Sequence, residues 1–126
     1  MSDTGDIDFG PLKDLVGDWT GDQGTDLAPE PDGDETNPYF ETISYSAVGT
    51  ATNAETQTLS VVHYRQIVRR KSDGNVFHDE TGYWMWDPAT ATVMHSLVIP
   101  RAVGLLAGGI YKGETDDEGR TVIQVE

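Results

Sequence analysis

Residues 57–88, QTLSVVHYRQIVRRKSDGNVFHDETGYWMWDP, decide the fold class of this chain. Gln57 to Arg70 is rich in β-branched and aromatic residues, which predicts a long strand. Asp73-Gly74 is the dipeptide typical of a tight hairpin turn. Val76 to Trp86 is again rich in strand-forming residues and predicts a second strand. The stretch therefore predicts two antiparallel strands joined by a short turn.

A short helix and further strands are predicted on either side of this hairpin. Pro11 suits the first position of a helix, and the apolar residues after it recur at helical spacing, so a short helix should end at Gly17. Residues 25–38 are rich in proline and acidic side chains and predict a loop. The other predicted strands are residues 17–24, 39–48, 92–99, 102–106, 109–114 and 121–126.

The order of these elements predicts an all-β fold. About eight strands follow one helix, and no helical segment separates successive strands, which argues against a parallel sheet. A strand as long as Gln57 to Arg70 spans about 46 Å at ~3.3 Å per residue and has to coil or bend. We therefore expect an antiparallel, lipocalin-like β-barrel capped by the short N-terminal helix.

Length and composition limit the possible classes of protein. The chain has 126 residues, which suits one domain, and we expect a disordered acidic tail over residues 1–8 and the barrel domain over residues 9–126. The absence of cysteine excludes disulfides, thiolate metal sites and cysteine nucleophiles. Since no motif for nucleophilic catalysis occurs either, no catalytic residue and no metal ligand is assigned.

The charge of the chain argues against some partners. The formal net charge is -14, from 22 acidic and 8 basic residues. Such a field repels nucleic acid and anionic membrane surfaces. The N-terminus lacks the basic start and apolar run of a signal peptide, and residues 97–111 are too short to cross a bilayer. We therefore expect a soluble cytoplasmic protein.

Strand alternation sorts the three histidines. His63 shares a face with Arg65 and Arg69 and is expected on the outside. His95 shares an apolar face, as a core histidine with a backbone partner does. His78 has large aromatic residues on both faces of its strand, so it is open whether the imidazole faces the core, solvent or a ligand.

Two motifs carry a family resemblance. A G-x-W-x-G pattern, followed by one more glycine, lies directly after the helix at Gly17, Trp19, Gly21 and Gly24. An H-x-E-x-G-Y pattern about sixty residues later is formed by His78, Glu80, Gly82 and Tyr83. With these motifs in this order, the chain resembles the nitrobindin-like haem-binding β-barrel family, also known as THAP4-like, whose calycin-type fold is shared with lipocalins and fatty-acid-binding proteins.

The resemblance implies a ligand and a role for one histidine. Members of this family hold ferric haem in an open pocket at one mouth of the barrel. The histidine of the H-x-E-x-G strand lies on the distal side of the haem, a role that would fall to His78. The family's iron ligand is a histidine on the final strand, and no histidine follows His95 in this sequence.

We therefore predict a small-molecule carrier or sensor, with haem as the favoured ligand. The predicted pocket lies near His78 and includes Phe77, Trp84, Met94 and Leu97. The alternatives are a barrel that binds fatty acid or another apolar ligand without iron, a haem-dependent peroxynitrite isomerase as the resemblance implies, and a domain that serves assembly only. Of these, an enzyme is less favoured than a carrier.

The motif G-x-W also makes a structural prediction. Trp19 is expected to be buried at the closed end of the barrel, under the helix of residues 11–16. Replacing a buried ring of this size by alanine costs roughly 3–5 kcal/mol, which is the expected effect of Trp19→Ala. His78 is expected to point toward the barrel interior or its mouth, near Trp84.

The last predicted strand, residues 121–126, ends on an alternating apolar pattern. A strand in that position presents unpaired backbone groups and an exposed apolar face. We therefore expect either that the chain is the N-terminal portion of a longer sequence or that a second copy completes an open barrel. Self-association through the open edge, and no histidine ligation of haem from the last strand, are the corresponding expectations.

Overall fold

The computed structural model describes residues 6–30 and 33–126. Within these residues, one 3₁₀-helix is followed by six strands. The 3₁₀-helix is Gly10–Leu15, and the strands are β1 (Gly17–Glu30), β2 (Gly33–Asn53), β3 (Gln57–Arg70), β4 (Val76–Asp87), β5 (Thr92–Ile99) and β6 (Val103–Ile110).

The six strands form one antiparallel sheet in the order in which they occur along the chain. β1 and β6 are its outer strands and do not pair with each other, so the described sheet is open. The all-β antiparallel prediction is confirmed. Among the described residues there are six strands rather than about eight. The open sheet agrees with the expectation of an open barrel, and the predicted short N-terminal helix is a 3₁₀-turn of six residues.

The strand count differs mainly at β6. Val103–Ile110 is one strand because its backbone pairs with β5 without a break, from Ile99 opposite Val103 to Thr92 opposite Ile110. The glycines within β6 therefore do not divide it. Residues 121–126 form no regular strand, but Glu126 and Gly108 exchange two backbone hydrogen bonds of 3.1 and 3.2 Å. The end of the chain thus covers part of the outer edge of β6.

The loop predicted over residues 25–38 is wrong for residues 25–30 and 33–38, while residues 31–32 lie outside the described residues. β1 continues to Glu30, β2 begins at Gly33, and Leu27 lies opposite Thr36 in continuous antiparallel register. Pro29 is tolerated because β1 is an edge strand, where a missing N–H breaks few ladder bonds. Of the tail predicted for residues 1–8, residues 1–5 lie outside the described residues, and its boundary stays a prediction.

One face of the sheet carries the 3₁₀-helix, and we call it the inner face. Fully buried Leu12 and buried Phe9 pack there against Val62, Trp86 and Val93. Gly10 has a φ of 53°, and a Cβ at this position would collide with the indole of Trp86. Glycine therefore lets the helix lie directly on the sheet, and this end of the inner face is closed.

Segments from both ends of the chain complete this core. Ile7 precedes the helix, Tyr111 follows β6, and Ile123 and Val125 belong to the irregular C-terminal segment; all four pack against the core cluster. The apolar pattern of the last residues is thus largely used in packing.

Among the described residues, no helix has the length and apolar character needed to cross a membrane.

Trp19 is not buried as predicted. Its side chain is 51% exposed, and its indole N–H donates a 2.7 Å hydrogen bond to the carbonyl oxygen of Leu15. The motif residue is attached to the 3₁₀-helix, but β1 is an outer strand of an open sheet. Since β6 does not return to pair with β1, nothing from that strand covers the ring.

Candidate functional site

A row of polar side chains crosses the middle of the inner face. The Tyr64 hydroxyl lies 2.7 Å from His95 Nε2 and also bonds Glu80 Oε2. The other oxygen of Glu80 lies 3.1 Å from His78 Nε2. Tyr64 lies on β3, His78 and Glu80 on β4, and His95 on β5. We call these four residues the polar row.

The chemistry of the groups sets the direction of each bond. A tyrosine hydroxyl has one proton, and an ionised carboxylate only accepts hydrogen bonds. Tyr64 therefore donates to Glu80, and the N–H at His95 Nε2 donates to the Tyr64 oxygen. On the same argument, His78 donates from Nε2 to Glu80. The tautomers of both histidines follow from this network of partners.

Burial perturbs the groups inside the polar row. The pKa of Tyr64 is raised far above its ordinary value, first by burial and then by its hydrogen bond to Glu80. Burial lowers the pKa of His95, and the charge of Glu80 opposes that effect. The pKa of neighbouring Tyr45 is raised by burial and by the charges of Glu80 and Glu41. Tyr64 therefore stays protonated, and His95 favours the neutral imidazole.

Two neighbours hold the polar row in place. The indole of Trp84 stacks on the His95 ring, with centroids 4.0 Å apart and planes 8° from parallel. Gly82 lies opposite Tyr64 in the β3–β4 register. A Cβ at Gly82 would stand 2.9 Å from Tyr64 Cε1 and would collide with the Ser96 carbonyl oxygen. The glycine of the H-x-E-x-G motif therefore makes room for the Tyr64 ring.

A cavity of about 650 Å³ lies at the opposite end of the inner face from the helix. We call it the open-end cavity. Its lining includes His78 at one end of the polar row, together with apolar, aromatic and charged side chains. The full lining is Tyr39, Glu41, Gln66, Val68, Arg70, Phe77, His78, Ile99 and Arg101.

A β-bulge explains why neighbouring residues both line this cavity. Val68 lies opposite His78, whereas Arg69 lies opposite Val76, so Phe77 is the extra residue on β4. A bulge interrupts strict alternation, and both Phe77 and His78 reach the inner face. The Phe77 ring meets Tyr39 edge to face with centroids 6.0 Å apart.

The five residues predicted for the site are not all brought together. Phe77 and His78 line the cavity, and Leu97 lies on the inner face opposite Gly82. Trp84 is on the same face but six residues from His78 along β4, about 20 Å at ~3.3 Å per residue. The prediction that His78 lies near Trp84 is therefore wrong.

Met94 lies on the other face of the sheet. It is opposite Met85 and next to Val93, whose side chain belongs to the core under the helix. Because successive residues of a strand point to opposite faces, Met94 points away from the cavity. His63 lies on that outer face as predicted, 2.9 Å from the Thr81 hydroxyl.

Sequence reasoning missed several residues of this region. Tyr64 received no role, although alternation places it on the same face as Val62 and Val68. His95 was expected to have a backbone partner, but it bonds Tyr64 and stacks on Trp84. Pairing β3, β4 and β5 in register would have identified these residues, because cross-strand neighbours on one face form the polar row.

The comparisons with known proteins place the chain in a family. A family model described as a THAP4-like, heme-binding beta-barrel domain matches residues 8–125. No curated protein and no solved structure matches the chain. Among the described residues, no group of three or more histidine or carboxylate side chains is placed to hold a metal ion.

Proposed function

We propose that this chain, which belongs to the THAP4-like, heme-binding β-barrel family, holds haem in the open-end cavity beside His78. The observation that carries the proposal is the cavity itself. Its volume of about 650 Å³ falls within the range of small-molecule sites, ~300–1,000 Å³. It combines an imidazole with two aromatic rings, at the end of the inner face that the helix leaves free.

The lining fits the chemistry of haem. Tyr39 and Phe77 offer aromatic surface to a flat macrocycle, and Val68 and Ile99 add aliphatic surface. His78 is the one histidine in the lining, where its imidazole would supply the polar distal group that controls access of small ligands to bound haem. Bound haem supplies an iron centre that takes small ligands, while the protein supplies orientation, polarity and access.

The polar row fixes the orientation of His78. Glu80 accepts from His78 Nε2 at 3.1 Å, and Glu80 is itself held by the Tyr64 hydroxyl. His78 Nδ1 takes part in none of the hydrogen bonds among the described side chains. Nδ1 is therefore the nitrogen left for a ligand in the cavity. Glu80, which accepts from Nε2, sets the tautomer of the ring.

A haem titration followed by absorbance tests the proposal. Wild-type protein is expected to give a Soret band that saturates at one haem per chain. His78→Leu is expected to retain haem but to change the rate at which cyanide binds the iron, because the substitution alters access more than retention. His63→Leu, a histidine on the outer face, is the matched control and should resemble wild type.

Two results would count against this function. A Soret change that fails to saturate would mean that haem associates without a defined site. Equal cyanide binding in wild type and His78→Leu, with haem bound in both, would place the haem away from His78.

An apolar ligand without iron is the second candidate. The inner face also carries aliphatic side chains beyond the cavity, with Leu97 half-buried and Leu105 53% exposed on neighbouring strands. A hydrocarbon tail could lie along this path from the cavity. Extraction of the purified protein followed by mass spectrometry would detect a co-purified fatty acid, and an extract with haem only would reject this alternative.

A further inference from the structure

The open-end cavity contains two guanidinium groups in addition to His78. Arg70 is the last residue of β3 and lies opposite Tyr39 on β2. Its guanidinium carbon lies 5.3 Å from the centroid of the Phe77 ring. Arg101 follows β5 and lines the same cavity from the other side of β4. Two cationic groups from separate parts of the chain therefore line the same cavity.

These arginines differ from Arg65 and Arg120 in their ion pairing. Arg65 and Arg120 form ion pairs with Asp79 and Asp116 on the surface, at 2.8 and 2.6 Å. Among the described residues, neither Arg70 nor Arg101 forms an ion pair, in a chain with a formal net charge of -14.

The one carboxylate in the lining offsets only part of their charge. It belongs to Glu41, one of whose oxygens accepts a 2.9 Å hydrogen bond from Gln66 Nε2. The lining therefore holds two guanidinium groups and one carboxylate, an excess of one positive charge in a chain with a formal net charge of -14. This excess favours an anionic ligand.

We infer that the ligand is an acid and that Arg70 and Arg101 bind its carboxylate. This inference rests on the proposed function in that it concerns the same cavity. A guanidinium binds a carboxylate through two parallel N–H donors, which fixes orientation as well as charge. The arrangement specifies an amphipathic ligand, with a carboxylate at the arginines and an apolar body against Phe77 and Ile99. A porphyrin acid and a long-chain fatty acid share this chemistry.

Matched acid and ester ligands test the inference. Protoporphyrin IX and its dimethyl ester have the same ring, but only the first has carboxylates. A C16 fatty acid and its methyl ester form the second pair. Quenching of tryptophan fluorescence is measured for each ligand delivered at equal detergent concentration. We expect the acid of a binding pair to bind about 10-fold tighter than its ester, as for two charge-assisted contacts at a partly exposed site.

Variants assign the preference to the two arginines. Arg70→Gln and Arg101→Gln should each reduce the acid's advantage, and the double variant should bind acid and ester equally. Affinity for the ester should stay unchanged, which shows that the cavity is still formed. Arg69→Gln is the matched control because Arg69 adjoins Arg70 but is exposed and bonds the Gly74 carbonyl oxygen at 3.4 Å.

The two ligand pairs separate this inference from the haem proposal. If neither porphyrin binds but the fatty acid binds better than its ester through Arg70 and Arg101, haem binding is wrong and the acid subsite stands. If protoporphyrin and its diester bind wild type equally, the subsite is wrong and a porphyrin site stands. An acid preference that survives in the double variant, or no binding in either pair, also overturns the inference.

Discussion

The two ends of the inner face are built from the same strands but are covered differently. At the helix end, Leu12 and Phe9 fill the space above Val62, Trp86 and Val93, and these side chains are buried. At the other end, no described residue covers His78 and Phe77 in this way, and both remain half-exposed beside a cavity of about 650 Å³. One end thus contributes stability, and the other is free for a ligand.

The polar row lies between these two ends of the inner face and contacts both of them. Its His78 end faces the cavity, whereas its His95 end stacks on Trp84, which packs against the core cluster. Glu80 and Tyr64 connect the two histidines through hydrogen bonds. Substitutions along the inner face should therefore change mainly stability at one end and mainly ligand binding at the other.

The largest expected effect is on the closed end. Leu12→Ala removes a fully buried side chain from the contact between helix and sheet, so the free energy of unfolding should fall by about 2–5 kcal/mol. Urea denaturation measures this. Leu106→Ala is the control, because Leu106 is 76% exposed, and it should change stability little. Equal losses in the two variants would mean that the helix does not pack as described.

A smaller effect is expected in the middle of the face. Gly82→Ala places a methyl group against the Tyr64 ring and the Ser96 carbonyl oxygen, so we expect a loss of roughly 1–3 kcal/mol and a displaced Tyr64. Urea denaturation measures the loss, and the His95 imidazole signals in an NMR spectrum report on the Tyr64 contact.

The control for this substitution is Gly104→Ala. A Cβ at Gly104 would be 3.8 Å from its nearest neighbour, an ordinary contact. Unchanged stability and unchanged His95 signals in Gly82→Ala would show that the glycine is not needed to accommodate the ring.

The loss of stability in Trp19→Ala should be smaller than the roughly 3–5 kcal/mol expected for a buried ring. The ring is 51% exposed, and its defined polar contact is the hydrogen bond to the Leu15 carbonyl oxygen. We expect a loss of about 1 kcal/mol, the typical net contribution of one such bond. A loss above ~3 kcal/mol in urea denaturation, the magnitude of a buried aromatic side chain, would indicate that the ring is covered in solution.

The smallest expected effect is a pH dependence that comes from His95. Its pKa is lowered from the ordinary value of 6.5, chiefly by burial. On acidification the unfolded chain therefore takes up this proton at a higher pH than the folded chain. Stability from this group is complete above pH 6.5 and is lost as pH falls through the lower folded pKa.

Denaturation at pH 7 and pH 5 measures this difference. His95→Gln should lose less stability between the two pH values than wild type does, whatever its stability at pH 7. The carboxyl groups whose pKa is lowered, Asp79, Asp87 and Asp116, have an ordinary value of 3.8 and titrate below this window. An identical loss in both proteins would mean that His95 is not the responsible group.

Several features could be predicted from residue patterns because their causes are local. Strand ends at Gln57–Arg70 and Thr92–Ile99 were predicted as the structure has them, since turn residues flank runs of strand formers. Alternation correctly placed His63 on the outer face. It failed at Phe77, because a bulge inserts one residue relative to the partner strand and shifts the parity.

Other features depend on contacts between distant residues. The exposure of Trp19 depends on whether β6 returns to β1, and no local pattern in β1 specifies that. That Arg70 and Arg101 line one cavity depends on the order and register of β3, β4 and β5. The partner of His95 is Tyr64, 31 residues earlier, so it appears only when the strands are paired.

The sequence by itself determined the all-β class, the hairpin of β3 and β4, the family motifs and the acidic character of the chain. Each of these follows from residues close together or from composition. Only the tertiary structure decided which end of the inner face is filled, which side chains form the polar row and which arginines line the cavity. The physical reason is that side-chain packing and hydrogen bonding depend on cross-strand register. A shift of one residue in the pairing moves every side chain of a strand to the other face of the sheet.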